Sequence, residues 1–202
     1  MDMIYEKNHI KLCGSLAAPP VYSHSARGRI FYSFPLEVRR LSGSTDTVNV
    51  VLGSEQLKEL DISDCGKLCV EGQLRTWNNR RGEGAKLVIT VLARELYFCD
   101  GPDENLVRLS GTLCKAPNLR ITPMGRDICD LMLAVNRMYN KSDYIPCIAW
   151  GRNAGYAEQL DVGTKMAVEG RIQSREYRKK LEDGTSETRR AYEVSVVKLE
   201  EI

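Results

Sequence analysis

The sequence predicts an all-β chain made of two tandem copies of one small barrel, each with five strands and a short helix between the third and the fourth. Three observations carry that prediction. The second half repeats the first at nearly constant spacing, apolar residues alternate along most segments, and glycines interrupt those apolar runs at matching places.

The repeat is legible residue by residue. With an offset of 97, Leu12 pairs with Leu109, Gly14 with Gly111, Leu16 with Leu113, Pro20 with Pro117, Gly28 with Gly125 and Arg29 with Arg126. Leu36 and Leu133, Val38 and Val135, Arg40 and Arg137, and Asp46 and Asp143 continue it. One inserted residue raises the offset to 98, after which Lys67 matches Lys165, Val70 matches Val168, Glu71 matches Glu169 and Gly72 matches Gly170. Identity sustained across a single insertion marks a tandem duplication. The turn-rich Asp100-Gly101-Pro102-Asp103 reads as the joint, so the modules are 1–100 and 105–202 around a linker at 101–104.

Within each copy the elements follow in the same order. Ile10, Leu12, Gly14 and Leu16 alternate as a first strand; Phe34, Leu36 and Val38, with Leu131, Leu133 and Val135, alternate as a second. Asp46–Leu52 and Tyr144–Trp150 form the third. Ser54 then caps a helical turn carrying Leu57 and Leu60, and Asn153 is the corresponding cap before Tyr156 and Leu160. Lys67–Trp77 with Lys86–Leu96, and Lys165–Tyr177 with Ala191–Leu199, close the two copies. That order, in a five-stranded Greek-key barrel, is the order of an OB-fold. Gly14, Gly111, Gly72 and Gly170 lie inside apolar runs, where glycine marks a bulge or a tight bend of the kind a small barrel needs. Between the last two strands the second copy holds seven extra residues, including part of Arg178-Lys179-Lys180-Leu181-Glu182-Asp183-Gly184. The strands Ile10–Leu16 and Val107–Leu113 offer edges for pairing across chains.

Composition excludes several classes. Lys and Arg number 29 against 27 Asp and Glu over 202 residues, so net charge alone argues for no polyanionic partner. Cys13, Cys65, Cys69, Cys99, Cys114, Cys129 and Cys147 form no C-x-x-C, and His9 and His24 fit no ligand spacing. This argues against a zinc site, a disulfide framework or any other cofactor, and free thiols packed as small hydrophobes suit a reducing compartment. The N-terminus MDMIYEKNHI has no apolar h-region, and no apolar run reaches the roughly 18 residues of a membrane span. A soluble cytoplasmic protein without membrane contact is expected. No nucleophile triad, phosphate-cradling loop or paired carboxylate motif is present, so no enzyme is predicted.

From APNLRITPMGRDICDLMLAVNR through DYIPCIAWGR to VEGRIQSR, residues 105–202 resemble the bacterial single-stranded DNA-binding protein family. The first copy resembles it more loosely, mainly in VEGQLRT at Val70–Thr76. The resemblance implies sequence-independent binding of single-stranded DNA in replication, recombination or repair, in the nucleoid, by a homodimer with four OB modules. In the family, aromatics recur at four places on the DNA face, which here hold Tyr139, Tyr144, Trp150 and Tyr177. A ring stacks on any base whatever the sequence.

Phosphate contacts are expected from Arg120, Arg126, Arg137 and Arg152, and from Arg175, Arg178, Lys179 and Lys180 near the last hairpin. In the first copy the four aromatic places hold Ser42, Thr47, Gly53 and Asn79. There Trp77, beside Arg75, Arg80 and Arg81, is the remaining candidate platform, and Tyr32 and Arg39 are weaker ones. The chain stops after its last strand without the acidic tip through which family members recruit replication and recombination proteins. A primosome-like or scaffold OB protein and an RNA-binding OB protein remain as alternatives.

Overall fold

A computed structural model describes residues 7–59, 66–79, 85–181 and 184–202. The chain folds as two compact units, Met1–Arg75 with Thr90–Leu109, and Thr76–Ile89 with Ser110–Ile202.

In the first unit the strands are β1 (Asn8–Leu16), β2 (Val21–Ala26), β3 (Arg29–Arg39), β4 (Thr45–Gly53), β5 (Leu68–Asn78) and β6 (Leu87–Phe98), with helix α1 (Ser54–Glu59) after β4. Their order is β2-β3-β4-β6-β5-β1, and β1 returns to β3 with Leu16 opposite Leu36, which closes the barrel. β4 runs parallel to β6, with Val50 opposite Val91. Alternate residues point inward, and Ile10, Leu12, Phe34, Leu36, Val50, Leu68, Val70 and Val91 are fully buried.

The second unit repeats the plan with β7 (Glu104–Leu113), β8 (Asn118–Ile121), β9 (Asp127–Asn136), β10 (Ser142–Trp150), helix α2 (Arg152–Glu158), β11 (Lys165–Lys180) and β12 (Ser186–Glu201). The order β7-β11-β12-β10-β9 closes through β7 against β9, with Leu113 opposite Leu133, and β10 runs parallel to β12. Leu113, Leu133, Val135, Ile145, Met166, Ile172 and Val194 fill its core.

The repeated glycines sit where strands meet almost in contact. A Cβ on Gly14 would lie 2.1 Å from the Glu37 carbonyl oxygen, and one on Gly72 would lie 2.2 Å from that of Leu92. Gly170 would meet Ser195 at 2.2 Å and also coincides with a register shift between Glu169 and Gly170. Only hydrogen fits at such approaches.

Several expectations give way. β2 and β8 extend the second strand of each copy where the sequence suggested loop, because β2 is exposed on both faces and therefore shows no alternation. Arg178, Lys179 and Lys180 are strand residues opposite Thr188, Glu187 and Ser186, not loop. Helix α1 starts at the expected cap Ser54 itself, and α2 starts at Arg152, one residue before the expected cap Asn153. Gly53 precedes α1 and donates its N–H to Gln56 Oε1 at 2.9 Å. Gly151 precedes α2, while Asn153 Nδ2 donates to the Val197 carbonyl at 3.0 Å. Leu60 lies outside the described residues. β1 is not a free edge, since within the first unit Asn8–Cys13 pair with Glu104–Leu109, the part of β7 that belongs to that unit. Cys13 and Cys69, directly opposite on β1 and β5, are joined as a disulfide where free thiols were expected. Sequence spacing cannot report such a pair, because the sheet makes it. Among the described residues no helix is long and apolar enough to cross a membrane.

Candidate nucleic-acid interface

Tyr144 and Trp150 stand six residues apart on β10, which puts both on the outward face. They are 52% and 36% exposed. Opposite them on β9 lie Ala134 and Ile128. Tyr139 projects from the β9–β10 turn and is 76% exposed. Its φ of 62° lies in the left-handed region, and Asn140 follows at 53°. An L side chain held there costs about 1–2 kcal/mol, so the turn carries strain. Tyr177 on β11 is half-buried, opposite Arg189 on β12, with the Arg175 guanidinium 5.8 Å from its centroid.

Beneath Tyr144 is a buried ionic node. Asp143 is fully buried, forms an ion pair with Arg137, whose Nε lies 2.7 Å from Oδ2, and accepts from the Thr76 backbone N–H at 2.7 Å. Arg137 Nη2 also donates to the Thr76 carbonyl at 3.2 Å, and the Tyr144 N–H donates to Thr76 Oγ1 at 2.9 Å. Arg137 is therefore engaged in positioning β10. The first copy contains the same pair, Arg40 with Asp46, which gives those repeated identities a structural reason. Thr76 and Trp77 lie at the end of β5, in the stretch Thr76–Ile89 that belongs to the second unit, and Trp77, read from sequence as part of the first module, is 49% exposed.

The other cations divide into two groups. Arg120 forks onto Asp130 at 2.6 and 3.0 Å, and that hydrogen bonding raises its pKa. Arg175 donates to Glu193 at 3.2 Å, and Glu193, mostly buried, also accepts from Gln173 at 2.9 Å. Arg75 donates to Gln73 Oε1 and the Leu74 carbonyl. By contrast Arg126, Arg152, Arg178, Lys179 and Lys180 are exposed and form no ion pair among the described residues. Arg80 and Arg81 lie outside the described residues.

Column-by-column reading missed one platform. In the second unit Trp150 stands opposite Ile128; at the matching rungs of the first, Gly53 stands opposite Phe31. The ring has changed strands and kept its place on the outward face. Phe31 stacks on His24 at 4.8 Å between centroids with 8° between planes, beside exposed Arg29 and Tyr22. Comparing cross-strand pairs instead of single columns finds it in the sequence.

Residues 104–202 match the model of the single-strand binding protein family. The chain is 40% identical over 80 residues to Single-stranded DNA-binding protein 2 of Listeria innocua, covering 36% of this chain and 50% of that protein. It is 41% identical over 88 residues to Single-stranded DNA-binding protein 3 of Clostridium acetobutylicum, covering 40% and 60%. The matched stretch thus spans about half the length of these curated relatives. The wild-type single-stranded DNA binding protein of Thermus aquaticus is similar along both barrels, with a TM-score of 0.75, 26% identity, and coverage of 96% of this chain and 92% of that one.

Proposed function

We propose that the chain, whose residues 104–202 match the single-strand binding protein family, is a non-enzymatic binder of single-stranded DNA acting in replication, recombination or repair. The observation that carries the reading is the set of solvent-facing rings Tyr139, Tyr144 and Trp150 on one barrel, with Trp77 near the end of β5 in the same unit. Exposed rings are costly to keep in water, and successive bases stack on them at about 1–3 kcal/mol each. Arg126, Arg152, Arg178, Lys179 and Lys180 supply cations for phosphates, while Arg120, Arg137 and Arg175 hold the framework through their carboxylate partners. Tyr177 completes the stacking set and Phe31 with His24 gives the first barrel a smaller platform. The modules are 1–100 and 105–202, and two chains form a homodimer with four barrels.

Quenching of Trp77 and Trp150 fluorescence by oligo(dT), followed across a salt series, tests this. Affinity falls with salt at a log–log slope of about 0.7 per phosphate contacted. A salt-independent signal, or one that poly(U) displaces as well as poly(dT), overturns the DNA reading, and light scattering of the free chain checks the dimer.

A further inference from the structure

Three cysteines far apart in sequence converge in the first barrel. The Sγ atoms of Cys13 on β1, Cys69 on β5 and Cys99 just beyond β6 lie within 4.8 Å of one another. Cys13 and Cys69 are almost wholly buried, and Cys99 is partly open to solvent. Glu104 at the start of β7 brings Oε2 to 3.9 Å from Cys13 Sγ. The segment between Cys99 and Glu104 is tied down over the cluster. The Cys99 N–H donates to the Lys67 carbonyl at 3.3 Å, and Lys67 Nζ holds the Gly101 carbonyl at 3.0 Å and Asp103 at 2.7 Å.

We propose that in the reduced chain Cys13, Cys69 and Cys99 form a site for a thiophilic divalent cation of the zinc class. Sulfurs on a tetrahedral zinc, with Zn–S near 2.3 Å, stand about 3.8 Å apart, so once the disulfide is broken Cys13 and Cys69 move apart and Cys99 closes by about 1 Å. Each thiol gives up its proton on binding: one divalent cation and three thiols yield a trithiolate complex of charge −1 and three protons. Lys11, two residues before Cys13 and so on the same face of β1, offsets that charge, as does Lys67, which directly precedes β5. Lys11 Nζ also orients Glu104 at 2.7 Å, and Glu104 is the protein's candidate for the fourth ligand. The disulfide is the oxidised, metal-free form. A phosphine or a low-molecular-weight thiol supplies the two electrons that return Cys13 and Cys69 to thiols, and is itself oxidised to phosphine oxide or disulfide. The second barrel lacks the set, with Ser110 and Ala167 at the positions of Cys13 and Cys69. Burial pushes the thiols of Cys129 and Cys147 up, which leaves them protonated and poor competitors for the cation.

The test uses the full chain, reduced with a phosphine under argon and titrated with Co²⁺. A thiolate-to-cobalt charge-transfer band saturating at one Co²⁺ per chain, displaced by Zn²⁺ and absent from the air-oxidised chain, is the expected result. Cys99→Ser weakens Co²⁺ binding by more than the roughly 10–100-fold typical of an outer-shell change, while Cys114→Ser leaves it unaltered. Cys99 lies outside the strands, so its variant folds even where Cys69→Ser does not. The proposal is sunk by a reduced wild type with no such band, or by a band that survives Cys99→Ser undiminished. Oligo(dT) binding by Cys99→Ser stays within twofold of wild type, which keeps this outcome separate from that of the DNA-binding reading.

Discussion

The two barrels share a frame and differ in what they hang on it. Both close a first strand against a third across a glycine, both run the fourth barrel position parallel to the last, and both bury an Arg–Asp pair at the hairpin between the next two strands. On the outward face the second carries Tyr144, Trp150 and the strained Tyr139, whereas at the matching rungs the first has Phe31, moved across the ladder and stacked on His24. The first instead collects cysteines. A duplicated frame thus lets one copy specialise for flat ligands while its sibling is released to change.

The sharpest way to break that comparison is through the buried pairs. Asp143→Ala strands Arg137 and also unpairs the Thr76 N–H, and removing one partner of a buried pair costs about 3–5 kcal/mol. Asp46→Ala loses its Arg40 partner. A urea melt showing a loss under about 1 kcal/mol for Asp143→Ala refutes the structural role of this pair. Next in size is stacking. Trp150→Ala and Tyr144→Ala each weaken oligo(dT) binding by about 1–3 kcal/mol, and Phe31→Ala weakens it by less. If Phe31→Ala proves the most damaging by fluorescence titration, the assignment of the principal platform to the second barrel is wrong. The smallest effect concerns Tyr139. Tyr139→Gly removes a ring and relieves a left-handed residue, so it weakens binding by about 1 kcal/mol while stability changes by under about 1 kcal/mol, strain relief opposing glycine entropy. A melt showing a loss larger than that identifies the ring as packing.

Much of the fold was legible because an alternating strand advertises itself. Ile10 and Leu12, or Leu131, Leu133 and Val135, show which face is inward without any partner in view. β2 was not legible, since a strand lying outside the barrel has two wet faces and no apolar period. At the candidate interface Tyr144 and Trp150 could be placed from their parity on one strand. The engagement of Arg137 by Asp143 could not, because a cation six residues from a carboxylate is as often solvated as paired.

The amino-acid order by itself determined the duplication, the strand sequence within each copy and the contrast in aromatic content, since these depend on period and identity along the chain. Only the folded molecule decided which distant groups meet. Thr76 reaches Asp143, Phe31 faces Gly53, and Cys13, Cys69 and Cys99 converge because barrel closure sets neighbours through hydrogen-bond register between strands, and register is a property of two strands together that neither one encodes alone.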